Sequence, residues 1–153
     1  MKNPFWNYSL ALYSKPAVAE LCLLAQDRYG VEVNFLLYAA WLSSRGQSLK
    51  ASQLKRLLSA TEQWRQEVIG PLRSLRRQWR TLPEAAQLHT QLQGLELEAE
   101  RYLQDLLWLD YQAAPPALGA DLRANLQQVL ACHMAQGADL EQLLEQLLGV
   151  LAS

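Results

Sequence analysis

The sequence predicts an all-α protein, a single-domain bundle of about six or seven helices that includes a long antiparallel helical hairpin. Three observations predict it. Every long segment repeats its apolar residues at helical steps, and no alternating strand flanked by hairpin chemistry appears. Helix-start and helix-stop residues bracket those segments. Two successive segments also carry opposite charge and are joined by a short link, the arrangement of two antiparallel neighbours.

NPFWNYSLALY offers Asn3 as N-cap and Pro4 at the first helical position, where proline's missing N–H would have had no partner. The same device recurs in SKPAVAELCLLAQDRYG at Ser14 or Lys15 and Pro16, and Gly30 is placed to end that helix in the left-handed conformation. The next helix then begins near Val31 or Glu32. Glu32 and Asn34 fall in its first turn, where unpaired N–H groups favour acidic and amide side chains. FLLYAAWL beyond them is apolar on all sides, so the helix from Val31 to Ser44 is expected at the centre of the bundle, ending near Gly46.

After GQSLKAS, the run QLKRLLSATEQWRQEVIGPLRSLRRQW is helical in pattern, with a kink expected near Ile69 and Gly70 because of Pro71. Pro83 closes this basic stretch. In the segment that follows, Leu88, Leu92, Leu95, Ala99, Tyr102, Leu106 and Leu109 alternate steps of four and three, a heptad seam expected to pack along another helix. AAPPALG, residues 113–119, is a proline-stiffened loop and a possible sub-boundary, but the roughly 35 residues beyond it are too few for an independent domain. One domain, 1–153, is expected. Asp121 caps a helix with the stripe Leu122, Leu126, Val129, Leu130 and His133, which Gly137 stops. Asp139 opens the last helix, with Leu140, Leu143, Leu144, Leu147, Leu148 and Leu151 on one apolar face.

Half of the 153 residues are apolar and 19% are charged, a balance that excludes a disordered acidic tail. No apolar run approaches the roughly 18 to 20 residues needed to cross a bilayer, and MKNPFWNYSL lacks the apolar run of a signal peptide. A cytoplasmic protein is expected. Cys22 and Cys132 both sit in apolar surroundings and read as buried reduced thiols.

No phosphate-binding glycine loop is present, and Cys22, His89, Cys132 and His133 fall at no zinc-ligand spacing. Neither histidine follows a glutamate by three residues, as carboxylate-bridged di-iron bundles require. Asp105 and Asp110 lie about 140° apart around a helix, too far to converge on one ion. No metal, no cofactor and no catalytic residue is therefore assigned. Glu96 and Glu100 share a helix face and read as a solvated or salt-bridged edge. The five tryptophans, Trp6, Trp41, Trp64, Trp79 and Trp108, read as core or boundary residues.

The charge distribution says more than the net value of −1. From Lys50 to Arg80 eight basic residues face two acidic ones, a net +6; from Glu84 to Asp110 six acidic residues face one arginine, a net −5 with His89 neutral. Within the basic stretch, Arg73, Arg76, Arg77 and Arg80 are three or four residues apart, and Trp79 adds a stacking surface. Three readings stay open. The guanidinium groups pair with the acidic helix, they hold a phosphorylated ligand or nucleic acid, or they dock a protein. A net charge of −1 disfavours duplex DNA without excluding nucleic acid. Asp27 and Asn34, on either side of Gly30, could form a small polar corner, with mutual helix capping the simpler reading.

The pieces Trp6 and Tyr8, Gln26-Asp27, Gly30 with Val33-Asn34, Trp41-Leu42, Trp64, and Pro71-Leu72-Arg73 with Arg76-Arg77 resemble a family of small conserved hypothetical proteins of unknown function from Gammaproteobacteria, Pseudomonas and relatives among them. The resemblance covers most of the chain. It implies a bacterial cytoplasmic setting and carries over no catalytic residues. The residues themselves favour a non-enzymatic protein-interaction or adaptor role, with self-association through the leucine face of Leu140 to Leu151 as one route. An anion-binding bundle built on the arginine cluster is the alternative.

Overall fold

A computed structural model describes residues 2–152. Among these residues the chain forms α1 (Pro4–Tyr13), α2 (Pro16–Tyr29), α3 (Val33–Ser44), α4 (Ala51–Trp64), α5 (Gly70–Trp79), α6 (Ala86–Ala113), α7 (Leu122–His133) and α8 (Ala138–Leu151). A π-helical turn, Arg65–Ile69, joins α4 to α5 in one continuous rod, so seven helical rods make the all-α bundle.

The expected caps form. The Asn3 carboxamide oxygen accepts from the Trp6 N–H at 3.1 Å, and Asp121 accepts from the Ala124 N–H at 2.9 Å. Gly30 takes φ 66°, ψ 23°, and Val31 closes the turn by donating to the Ala25 carbonyl at 3.2 Å. Val33 to Leu42 are all buried, so α3 is the central helix. Phe5 packs edge-on and Trp41 tilted against Tyr38, with ring centroids 5.3 and 6.1 Å away, and Trp41 also meets Trp108 and Tyr111. α7 runs along α3, and one apolar core continues through Leu126, Val129 and Leu130 into α8.

The 113–119 loop is stitched to the turn that follows α3. Gln47 and Leu118 form an isolated antiparallel bridge, Ser48 N–H donates to Ala117 at 2.8 Å, and Gly119 N–H donates to Gly46 at 3.1 Å. Asn125, fully buried, fastens the same turn from α7: its carboxamide accepts from Leu49 N–H and donates to the Gln47 carbonyl, each at 2.9 Å.

Four sequence expectations are corrected, and the irregularity expected near Ile69 and Gly70 takes the form of the π turn, where Gly70 N–H reaches the Arg65 carbonyl five residues back. A Cβ at Gly70 would stand 3.3 Å from that oxygen, so glycine eases the turn. Glu32 occupies the N-cap position of α3 but does not cap it; its carboxylate is held by Arg65 at 3.3 Å. Cys22 is buried, its thiol pushed up to about 12 by burial, but Cys132 is exposed because it lies at the margin of the α7 stripe near the helix end. The leucine face of α8 is consumed by α2 and α7, so it is not available for self-association. The buried line of α6 is Leu92, Glu96, Ala99, Leu103 and Leu107, and Leu88, Leu95, Tyr102 and Leu109 of the expected seam are exposed. That seam failed because α6 carries leucines on several sides and a buried glutamate on the inner one.

Candidate functional site

The arginines lie on α5, which together with α4 packs antiparallel to α6. The inner apolar strip between these rods is small: Ile69, Ala99 and Leu103, flanked by Trp64, Val68 and Leu72. Beyond it towards the hairpin tip α5 has no buried residue. There the contact passes to charge. Arg73 holds Glu100 at 2.9 Å, and Arg76 holds Glu96 at 2.8 Å. Arg77 reaches the other way, to Asp27 on α2 at 2.5 Å.

The sequence-predicted cluster is thus split between two helices. Arg73 and Arg76 face the acidic helix with side chains 11% and 22% exposed, Arg77 is half exposed, and Arg80 makes no ion pair among the described residues. Trp79 is half-buried at the end of the same helix. An incoming phosphate would have to displace a carboxylate from Arg73, Arg76 or Arg77. The intramolecular pairing that the sequence left open is the arrangement observed.

Glu96 is the unusual member. Its residue exposure is 6%, and burial lifts its carboxyl above the usual carboxylate range although the Arg76 guanidinium pulls it down. The pairs are single contacts: Glu96 Oε1 and Arg73 Nε have no hydrogen-bond partner among the described residues. That keeps them weaker than a bidentate arginine–carboxylate fork.

Asp27 and Asn34 do not meet. Asp27 is exposed and bound to Arg77, while Asn34 is 3% exposed and its carboxamide oxygen accepts from Gln104 Nε2 at 2.8 Å. The polar corner is therefore two separate contacts, one at the surface and one inside.

The outer face of the hairpin was hidden from the sequence reading. Leu88, Leu95, Tyr102 and Leu109 recur every seven residues on α6 and are 53%, 52%, 48% and 47% exposed. Tyr102 leans on Trp64, with ring centroids 4.4 Å apart, so the stripe continues onto the α4–α5 rod. Their spacing was the signal; the side they occupy depends on where Glu96 is buried, which apolar periodicity does not reveal.

Fold and site together define an all-helical bundle with a charge-paired hairpin. The chain belongs to the family described as Protein of unknown function (DUF2390), whose model matches residues 4–107. Every residue on which the family resemblance rests lies within this stretch, as do the four arginines and the carboxylates paired with three of them; the 113–119 loop, α7 and α8 lie beyond it. No curated protein and no solved structure matches the chain.

Proposed function

We propose that this is a non-enzymatic bacterial cytoplasmic protein that works by protein interaction, and that a partner protein lays an apolar helix along the outer face of the α4–α5/α6 hairpin. The observation that carries this reading is the heptad-spaced row Leu88, Leu95, Tyr102 and Leu109, half exposed along α6. Such a row matches the a positions of a coiled-coil seam, whose facing helix supplies the complementary knobs. An aligned apolar stripe of this length is more than the scattered exposed leucines any surface carries.

Photo-crosslinking in cells tests it. A crosslinker at Leu95 should capture one discrete partner, or a second copy of the chain, while a crosslinker at exposed Ser74 captures none; Tyr102→Glu should abolish the product without unfolding the chain. No discrete product at Leu95 or Leu109 defeats the proposal.

The anion-binding alternative keeps one supporting observation, Arg80 without an ion pair beside half-exposed Arg77. If it holds, phosphate or short single-stranded nucleic acid raises the melting temperature, and Arg77→Ala/Arg80→Ala removes the increase. Equal melting with and without these anions rejects it.

A further inference from the structure

Three side chains buried between α1, α3 and α6 carry polar atoms with no hydrogen-bond partner among the described residues. They are Ser9 Oγ, Asn34 Nδ2 and Gln104 Oε1, on residues 3%, 3% and 1% exposed. All three residues line one half-open cavity of about 100 Å³. Buried polar groups in folded proteins are nearly always satisfied; of the eight unpartnered ones among the described residues, these three are grouped on residues that line one cavity, and that grouping asks for a bound group.

We propose that this cavity is a binding site for a small neutral carboxamide or lactam, a molecule that presents an N–H donor beside a carbonyl acceptor. Gln104 donates to Asn34 at 2.8 Å, which leaves the Asn34 amide N–H to donate and the Gln104 carbonyl to accept. Turning both amides over reverses the bond between them but again leaves one NH₂ and one C=O free, so the complementarity does not depend on their assignment. The Ser9 hydroxyl adds a third group able to give or take a hydrogen bond.

The walls suit a flat, uncharged head group. Trp6, Tyr13, Val33, Leu37 and Leu97 supply apolar surface, and the one acidic lining residue, Glu100, is already held by Arg73. At about 30 Å³ per water in the liquid, the cavity holds a few waters or one small ring. It adjoins a second depression of about 190 Å³ that shares Tyr13, Gln26, Leu97 and Glu100 and is bordered by Arg76 and Glu96, so a larger ligand has a path outwards over the hairpin. All of these residues lie within the 4–107 family match.

The site is independent of the hairpin's outer face and is tested separately. The intact chain is titrated with benzamide, with uracil, and with acetophenone, which has the shape of benzamide but no N–H, while the side-chain NH₂ resonances of Asn34 and Gln104 are followed by NMR. Benzamide and uracil should shift them saturably, with acetophenone and the Ser9→Ala variant each binding about fivefold weaker, the effect of one neutral hydrogen bond. Leu10→Trp, at an exposed rim position, should block binding and leave the melting temperature unchanged. The proposal is overturned if no probe gives a saturable shift, if acetophenone binds as well as benzamide, or if Leu10→Trp binds unimpaired.

Discussion

The body around α3 and the hairpin tip are built on different physics. α3 presents ten successive buried residues to helices on every side, and its neighbours α1, α2, α6 and α7 meet it chiefly through aromatic and aliphatic contact. α5 has no buried residue, and what holds its outer half to α6 and α2 is three single-contact ion pairs. Apolar burial scales with area and is insensitive to salt; partly exposed ion pairs are weak, screened and pH-dependent. One chain thus carries a rigid centre and an arm that opens at lower cost. The arm also carries exposed Leu82, Leu88, Leu95 and Leu97.

The largest expected effect comes from breaking the body. Phe35→Ala, at a fully buried ring, should cost about 3–5 kcal/mol and lower the denaturation midpoint of the whole chain in a single transition. A loss below about 1 kcal/mol would mean that α3 is not the centre of the core.

Next is the charge layer. Arg76→Ala leaves Glu96 buried without its partner and should cost about 1–2 kcal/mol near neutral pH, less than a fully buried pair because Arg76 is partly solvated. The pH dependence has a definite sign. Glu96 has a folded-state pKa raised by burial, so its contribution is complete below the ordinary carboxylate range and is lost as pH rises through the raised value. Removing Arg76 raises it further, so the Arg76→Ala loss should grow from about pH 4 towards neutrality. Glu96→Gln, neutral throughout, should gain on the wild type over the same interval. Thermal melts at several pH values read both trends; a loss that shrinks with rising pH contradicts the assignment.

The smallest effect belongs to a surface pair. Arg123 and Glu145 bridge α7 and α8 at 2.7 Å with side chains 49% and 60% exposed. Arg123→Ala should change stability by less than about 0.5 kcal/mol, and moderate salt should erase even that.

The same contrast explains what the sequence revealed. Caps at Asn3 and Asp121, the left-handed stop at Gly30 and the unbroken apolar run of α3 are local signals, and each is realised. The opposite charges of the two hairpin helices signal their pairing. Distance-dependent facts were not legible. Nothing local tells that Glu96 turns inwards, and with it went the true side of the α6 seam. Asn34 looked like a helix-start residue because its partner, Gln104, is 70 positions away. Ser9 and Gln104 carried no motif at all; only packing brings these residues to the wall of one cavity.

Native-state hydrogen exchange, measured at low and at high salt, tests the central claim most directly. Amides of α5 and of the first turns of α6 should exchange through a local opening well below the global unfolding free energy, faster still in high salt, while α3 exchanges only by global unfolding under both conditions. Equal protection of α5 and α3, unmoved by salt, would contradict a charge-held arm on an apolar body.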